Sequence, residues 1–194
     1  LPESVFTVWS NLFELGQLKE GDLALVHGGS SGIGTYAIQM AVAAGAHIIV
    51  TVGSQEKVDA CMKLGAALAI NYKRHDFVKE IQEYTKGKGV NIVLDMIGAD
   101  YVPRNIIIMA TRARHISIAT QHGPMAAVNM REIMTNRLLF TGSTLRQRPV
   151  GAKSRLAGEV ETYVWPWIAA GKVKPIIFQN YGIQCAYREA GIDD

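Results

Sequence analysis

Cysteine, net charge and long apolar runs are all scarce in this sequence. Only two cysteines occur among its 194 residues, Cys61 and Cys185, and their spacing matches no metal-ligand motif. Two thiols are too few for a disulfide framework, so we expect a reducing, cytoplasmic environment. No apolar run approaches the roughly 18 residues that span a bilayer, and the net charge is only +3. We therefore expect neither a membrane nor a nucleic acid as a partner.

The sequence does contain a regular alternation of apolar runs with helical patterns. The runs are apolar throughout, which is typical of strands in a parallel sheet that is covered on both faces. We predict strands at 23–27, 47–52, 67–72, 90–98, 115–119 and 138–143. We predict helices at 2–16, 33–45, 54–65, 75–87, 100–110, 128–136 and 154–170. The sequence thus predicts an α/β fold, a doubly wound, Rossmann-like parallel sheet of about six strands.

The domain organisation follows from this alternation and from the two ends of the chain. We predict a leading helix and connection at 1–21, a dinucleotide-binding domain at 22–150, and a long helix with further segments at 151–194. The chain begins at Leu1 without methionine and stops at "AGIDD", soon after a predicted helix start. We therefore expect a piece of a longer protein, in which the last part is a remnant of a missing catalytic domain. The apolar segment "KPIIFQNY" at 174–181 would belong to that remnant.

A glycine-rich loop, "VHGGSSGIG" at 26–34, follows the first predicted strand and precedes a long helix. In a doubly wound fold this position binds nucleotide phosphates. The backbone must approach the pyrophosphate closely, and the amino end of the helix offers N–H groups and a positive dipole. Gly29, Gly32 and Gly34 suit this turn, and Gly34 would let the helix pack against the first strand. A tight turn without a ligand is the alternative, but the context favours dinucleotide binding.

Read from Gly28, the same loop also fits the spacing of short-chain dehydrogenases. Those enzymes need a catalytic Tyr-x-x-x-Lys on a helix, and the chain contains one match, Tyr84 to Lys88. Gly87 and Gly89 break any helix there, since glycine is a poor helix former. We interpret the match as coincidental.

The end of the second predicted strand favours NADPH over NADH. An NAD site usually places Asp or Glu about 20 residues after the glycine motif, to bind the ribose 2′-hydroxyl. Here the strand tip reads Gly53-Ser54, and Lys57 follows in the first turn of a helix that Ser54 caps. A 2′-phosphate would compensate the unfavourable position of Lys57 at that helix end, and the Tyr72 hydroxyl can donate to it. Glu56 argues the other way, but in that helical turn it need not face the ribose.

Several segments together resemble one family. They are "LPESVFTVWSNLFELGQLKEGDLALVHGGSSGIGTYAIQMA", "VGSQEK", "LGAALAINY", "VNIVLDMIG" and "VWPWIAAGKVKPII", in this order. They resemble the medium-chain dehydrogenase/reductase superfamily, in its zinc-free, zeta-crystallin-like quinone oxidoreductase branch. The resemblance covers nearly the whole chain, and the leading helix separates it from the short-chain enzymes.

The resemblance implies a set of cofactor contacts. Those to the pyrophosphate fall on Ser31, Gly32, Ile33 and Gly34. Those to the 2′-phosphate fall on Ser54, Lys57 and Tyr72. Those to the ribose and nicotinamide fall on Ile97, Thr120 and Leu145, with Thr7 near the nicotinamide. The segment "ATQHGP" departs from the glycine-rich loop usual in the family, which puts contacts at Gln121 and His122 in doubt.

The implied reaction is hydride transfer from NADPH to a quinone or a related activated carbonyl or alkene. A non-enzymatic NADP(H)-binding module is the alternative. No residue is assigned a catalytic or metal-binding role, and a hydrogen bond to the next turn explains Asp95 as well as a ligand role does. The last predicted strand, 138–143, would be a sheet edge, so we expect a homodimer through it. The basic run at 146–155 is interpreted as a solvated loop.

Overall fold

The computed structural model of the chain describes residues 2–177. The end of the predicted 174–181 segment and the helix start predicted before "AGIDD" lie outside the described residues. The strands are β1 (Leu23–His27), β2 (His47–Val52), β3 (Leu68–Asn71), β4 (Val90–Asp95), β5 (Met109–Ser117) and β6 (Leu139–Gly142). The helices are α1 (Pro2–Val8), a π-helix (Trp9–Leu15), α2 (Gly32–Ala43), α3 (Gln55–Lys63), α4 (Phe77–Thr85), α5 (Tyr101–Ile107), α6 (Met130–Asn136) and α7 (Val150–Ala169).

The strands form one parallel sheet in the order β3-β2-β1-β4-β5-β6. The predicted doubly wound sheet of six strands is therefore confirmed. Because β1 lies between β2 and β4, the chain changes direction across the sheet beside β1. The crevice at such a switch point, outside the carboxyl ends of the strands, is where this fold binds ligands.

Both faces of the sheet are buried, which explains why its strands are apolar throughout. Ala24 and Val26 of β1 belong to one core cluster, with residues of α1, α2 and α7. Leu25, between them, belongs to the other cluster, with residues of α4 and α5. Since successive strand side chains point to opposite faces, the central strands need apolar residues on both faces. Within the described strands β1, β2 and β4, buried polar residues occur only near the carboxyl ends, at His27, Thr51 and Asp95.

Strand β5 is longer than predicted, because it begins at Met109 instead of position 115. The part of β5 before position 115 carries Arg112 and Arg114 and did not look like a buried strand. The pairing of β4 with β5 shifts register between Val90 and Ile92, and Arg112 has a positive φ of 63°. The irregular start of β5 thus lies at the amino edge of the sheet, where charged side chains reach solvent. The helix predicted at 100–110 correspondingly ends at Ile107.

The leading segment, residues 2–15, packs against α7, although Trp9 and its partner Glu159 are 150 residues apart in the sequence. The Trp9 ring stacks on Phe13 and Tyr163, with centroid distances of 4.7 and 5.4 Å. Its Nε1 donates to Glu159 Oε2 at 2.8 Å. The π-helical turn was not predicted, because apolar residues spaced three and four apart are typical of an α-helix. Helix α7 has 20 residues, yet neither it nor any other helix within 2–177 is long and apolar enough to cross a membrane.

The basic run at 146–155 is only partly the solvated loop that we predicted. Helix α7 begins at Val150, four positions before the predicted start, so Lys153 and Arg155 are helical. Arg148 is partly buried and forms an ion pair with Glu14 at 2.5 Å, which Arg155 joins at 3.1 Å. The hydrogen bonds and proximity of both arginines lower the pKa of Glu14, against the opposing effect of its partial burial. This cluster ties the π-helix to the start of α7.

Truncating a side chain in the centre of the sheet tests this packing. We expect Leu94→Ala, which empties a fully buried site in β4, to lower the free energy of unfolding by about 2–5 kcal/mol. Ile107→Ala on α5, where the side chain is 58% exposed, is the control, with a change within about 0.5 kcal/mol. Urea denaturation followed by circular dichroism measures both. Equal losses in the two variants would contradict the core assignment.

Candidate cofactor-binding site

The loop between β1 and α2 is held by hydrogen bonds from both sides. Gly28 N and Gly29 N each donate to the carbonyl of Thr51 at 3.0 Å. Ser31 caps α2, with its Oγ accepting from Gly34 N at 3.0 Å. Because the first N–H groups of a helix lack partners within it, the start of α2 offers donors and the positive end of its dipole.

Three glycines of this loop meet different surroundings. A Cβ on Gly29 would lie 2.4 Å from the Cβ of Val50, and one on Gly34 would lie 2.4 Å from the carbonyl oxygen of Gly28. A Cβ on Gly32 would meet only Ser4 Oγ, at 3.4 Å. Gly29 and Gly34 are therefore required by contacts inside the protein, and Gly34 packs on the loop backbone rather than on β1. Gly32 is the exposed member of the turn.

The ends of β2 and β3 supply the opposite wall of a groove. Ser54 caps α3 as predicted, with its Oγ accepting from Lys57 N at 3.3 Å. The Tyr72 hydroxyl lies 3.0 Å from where a Cβ of Gly53 would stand, so the tyrosine leans over the strand tip. Together with the glycine loop these residues enclose about 460 Å³. The lining residues are Gly28, Ser30, Ser31, Val52, Gly53, Ser54, Lys57, Tyr72 and Lys73.

The groove brings together Ser31, Gly53, Ser54, Lys57 and Tyr72 from the predicted set. Lys73, the residue after Tyr72, lines the groove as well. Sequence reasoning did not single out Ser30 or Val52 as lining residues. Val52 gives no signal, since an apolar residue at a strand end looks like any other core residue. The role of all these residues in holding a cofactor stays a prediction.

The turns after β4 and β5 continue the same edge of the sheet. Gly98 forms a bridge with Gly123, and His122 N donates to Ile97 O at 2.8 Å. A Cβ on Gly98 would lie 3.2 Å from the Cα of Thr120. The predicted positions Ile97 and Thr120 are therefore on adjacent turns. Toward β1, a Cβ on Gly28 would lie 3.0 Å from the sulfur of Met96, so these turns adjoin the glycine loop.

Leu145 lies apart from the groove. It lines a second cavity of about 430 Å³ between α1 and α7, with Glu3, Phe6, Arg146, Lys153 and Leu156. Thr7 is buried, and its Oγ1 donates to Glu3 Oε1 at 3.1 Å. Since Ser4 of the same helix lies beside Gly32, the start of α1 reaches from the glycine loop to this second cavity.

Asp95 makes the hydrogen bonds to the next turn that its position suggested. Its Oδ1 accepts from Ile97 N at 2.7 Å and from Gly98 N at 3.1 Å. Burial raises the pKa of this carboxyl, but hydrogen bonds from His115 and these N–H groups and the nearby His27 outweigh it and lower the pKa overall. The carboxylate is therefore ionised at neutral pH and accepts on both oxygens.

Thiol and metal chemistry find little support in the described part of the chain. Cys61 is buried, and burial raises the pKa of its thiol to about 11, which leaves it protonated and unreactive. Within residues 2–177, no three His, Cys, Asp or Glu side chains are grouped so that they could hold a metal ion. The absence of zinc stays a prediction.

The sequence of the chain matches a known protein family. A sequence model of the zinc-binding dehydrogenases matches residues 32–164, well over half of the chain. The chain therefore belongs to the zinc-binding dehydrogenase family. This confirms the resemblance to the medium-chain dehydrogenase/reductase superfamily.

Individual relatives and solved structures agree with this assignment. Quinone oxidoreductase 1 of Escherichia coli (strain K12) is 29% identical over 184 residues, which cover 94% of this chain and 56% of that protein. The crystal structure of Escherichia coli quinone oxidoreductase complexed with NADPH superposes with a TM-score of 0.79 at 28% identity, over 90% of this chain and 53% of that one. The nucleotide-binding subdomain of the enoylreductase domain of PpsC from Mycobacterium tuberculosis gives 0.78 at 26%, over 90% and 97%. The chain thus spans about half the length of the quinone oxidoreductases and nearly all of an excised nucleotide-binding subdomain.

Two alanine substitutions separate the roles of the loop glycines. We expect Gly34→Ala to lower the free energy of unfolding by about 1–3 kcal/mol. The new methyl group would collide with the backbone of Gly28 and Gly29. The methyl group of Gly32→Ala would meet only the end of the Ser4 side chain, and we expect it to change stability by less than about 1 kcal/mol. Thermal and chemical denaturation measure both. A stable Gly34→Ala variant would show that α2 can shift away from the loop.

Proposed function

We propose that this chain is the cofactor-binding part of an oxidoreductase that transfers a hydride from NADPH to a quinone or a related activated carbonyl or alkene. The observation that carries the proposal is the composition of the groove at the end of β2. Ser54, Lys57 and Tyr72 converge there, and Lys73 adds a second cation. No carboxylate is among the residues that line it. A 2′-phosphate suits such a site, whereas a free 2′-hydroxyl would lack its usual acidic partner.

The cofactor would lie along the carboxyl edge of the sheet. Its pyrophosphate would accept hydrogen bonds at the start of α2, around Ser31 to Gly34, where the helix dipole favours an anion. Its 2′-phosphate would lie between α3 and Tyr72. Its other ribose and its nicotinamide would lie along the turns at Ile97 and Thr120, toward Leu145. When bound, NADPH supplies the hydride, while the protein binds and orients it.

The class of acceptor is suggested by the names of the relatives. Besides the quinone oxidoreductases, 2-haloacrylate reductase of Burkholderia sp is 36% identical over 101 residues, 52% of this chain and 30% of that protein. Quinones, haloacrylates and enoyl groups share an electron-poor, conjugated carbon–carbon double bond. This shared chemistry supports an acceptor of that kind.

A non-enzymatic NADP(H)-binding module remains the second hypothesis, because the chain spans about half the length of its quinone oxidoreductase relatives. Steady-state assays with NADPH and small quinones distinguish the two, using a longer chain that includes the expected catalytic domain. We expect turnover from the longer chain and little from residues 1–194 alone. No turnover of the longer chain with quinones, haloacrylates or enoyl thioesters would favour the binding module.

The choice of cofactor is tested at one lysine. We expect the chain to bind NADPH more tightly than NADH, and Lys57→Ala to weaken NADPH binding about tenfold by removing a charge-assisted contact. NADH affinity should not change. Lys63→Ala, at the other end of α3, is the matched control and should leave both affinities unchanged. Fluorescence titration measures all of these. An unchanged NADPH affinity in Lys57→Ala would show that the phosphate assignment is wrong.

We also propose that the chain forms a homodimer through β6. This strand is the outer strand of the sheet, and Leu139 and Phe140 are 46% and 38% exposed. An unpaired strand edge with apolar side chains favours pairing with a second copy.

Analytical ultracentrifugation tests the dimer. We expect the wild-type chain to sediment as a dimer at micromolar concentration. Leu139→Lys should shift the equilibrium toward the monomer, because it places a charge in the proposed dimer interface. Val150→Lys, at an exposed position at the start of α7, should remain dimeric. A wild-type monomer at high concentration would refute the proposal.

A further inference from the structure

A network of buried polar side chains lies directly beneath the carboxyl edge of the sheet. Its members come from β1, β2, β4, α5 and β5, and each is at most 2% exposed. They are His27, Thr51, Asp95, Asn105 and His115. Burying polar groups costs free energy unless each group finds a hydrogen-bond partner. We therefore ask which parts of the structure this network holds in place.

Asp95 is the centre of this network. Its Oδ1 accepts from the N–H groups of the turn after β4, as described above. Its Oδ2 accepts from Asn105 Nδ2 at 3.2 Å and lies 3.2 Å from His115 Nε2. An ionised carboxylate only accepts hydrogen bonds, so His115 carries its hydrogen on Nε2. The carboxylate thus receives four donors, two from backbone and two from buried side chains.

The remaining hydrogen bonds follow from this one. Because Asn105 turns its Nδ2 to Asp95, its Oδ1 faces His27 Nε2 at 2.9 Å and accepts from it. His27 Nδ1 then accepts from the Thr51 hydroxyl at 3.0 Å. Burial lowers the pKa of His27, which agrees with a neutral ring in these roles. Within residues 2–177, no buried side-chain nitrogen or oxygen is left without a partner.

Both ends of this hydrogen-bond network reach backbone groups of the candidate site. At one end, the carbonyl of Thr51 accepts from Gly28 N and Gly29 N of the glycine loop. At the other end, Asp95 fixes the turn that carries Ile97 and that pairs with the loop after β5 through Gly98 and Gly123. The network therefore connects the backbone of the glycine loop with the 96–98 turn through the interior of the protein.

We propose that Asp95 is a positioning residue for the nicotinamide half of the cofactor site, acting through the backbone of the 96–98 turn. This inference rests on the proposed function. A carboxylate that accepts two consecutive N–H groups at a strand end dictates the path of the following turn, and His115 and Asn105 hold that carboxylate in place. Within residues 2–177, no hydrogen bond of the network reaches Ser54 or Lys57. Among the same residues, the network meets the glycine loop only through Thr51, which is three hydrogen bonds away from Asp95. Loss of the Asp95 carboxylate should consequently affect the two halves of the cofactor differently.

The test compares two ligands. Adenosine 2′,5′-bisphosphate contains the 2′-phosphate half of NADPH and lacks the nicotinamide. We expect Asp95→Asn to weaken NADPH binding about tenfold, since the amide is a weaker acceptor and meets two donors with its own N–H₂ group. Bisphosphate binding should remain within twofold of the wild type. The control is Asp22→Asn at the amino end of β1, where the carboxylate also accepts a backbone N–H, from Lys19; it should bind both ligands normally.

Calorimetric titration of both ligands, with melting temperatures alongside, gives the outcomes. If wild type binds NADPH and Asp95→Asn binds both ligands as tightly, or loses both equally, the positioning role is wrong while the proposed function stands. If wild type binds neither ligand, the proposed function fails and this inference fails with it. Weakened NADPH binding with retained bisphosphate binding supports the proposal.

A second pair of variants covers the case in which Asp95→Asn does not fold. His115→Gln places an amide nitrogen near the position of Nε2 and keeps a donor to Asp95, whereas His115→Leu fills similar space without one. We expect His115→Gln to bind NADPH within about threefold of wild type, and His115→Leu to bind it about tenfold more weakly with bisphosphate binding retained. Equal NADPH binding by the two variants would overturn the proposal, because it would show that the ring serves only for packing.

Discussion

The close contact between Gly34 and the carbonyl of Gly28 sets the position of α2, and much of the structure depends on it. With no side chain between them, the start of the helix is pressed against the loop that leaves β1. Helix α2 can then lie flat on the sheet, where its buried residues join those of the central strands. Helices α1 and α7 pack on the same cluster. The same contact directs the amino end of α2 toward the edge at which β1, β2 and β4 end.

The sequence predicts those parts of the fold and site that depend on local chemistry. Apolar strands indicate that both faces of the sheet are buried, and Ser54 indicates the start of a helix. Both patterns can be read from a few neighbouring residues. The absence of a carboxylate after Val52 is likewise visible without a structure. By contrast, the start of β5 escaped prediction, because its exposed arginines do not look like a strand and only pairing with β4 reveals it.

The buried network shows a different limit. His27 is 78 residues away from Asn105 in the sequence, and each residue of the network alone looks like an isolated polar residue. Their meeting depends on strand order, since β1, β4 and β5 must be neighbours with matched ends. Leu145 shows the same limit: the family resemblance implies a contact with the ribose or nicotinamide, but only the fold shows that the residue lies beside α1 and α7. Sequence patterns thus identify the residues of one turn well and their partners across the sheet poorly.

The pairing of the leading segment with α7 has a consequence for how the chain is made. Trp9 meets Glu159 and Tyr163, and Glu14 meets Arg148 and Arg155, so the first helical turns find their partners only after about 150 further residues have been synthesised. Contacts of such large sequence separation form late and slow folding. Until α7 leaves the ribosome, α1 can pack only on α2, and the side of the leading segment around Trp9 stays exposed to solvent and to chaperones.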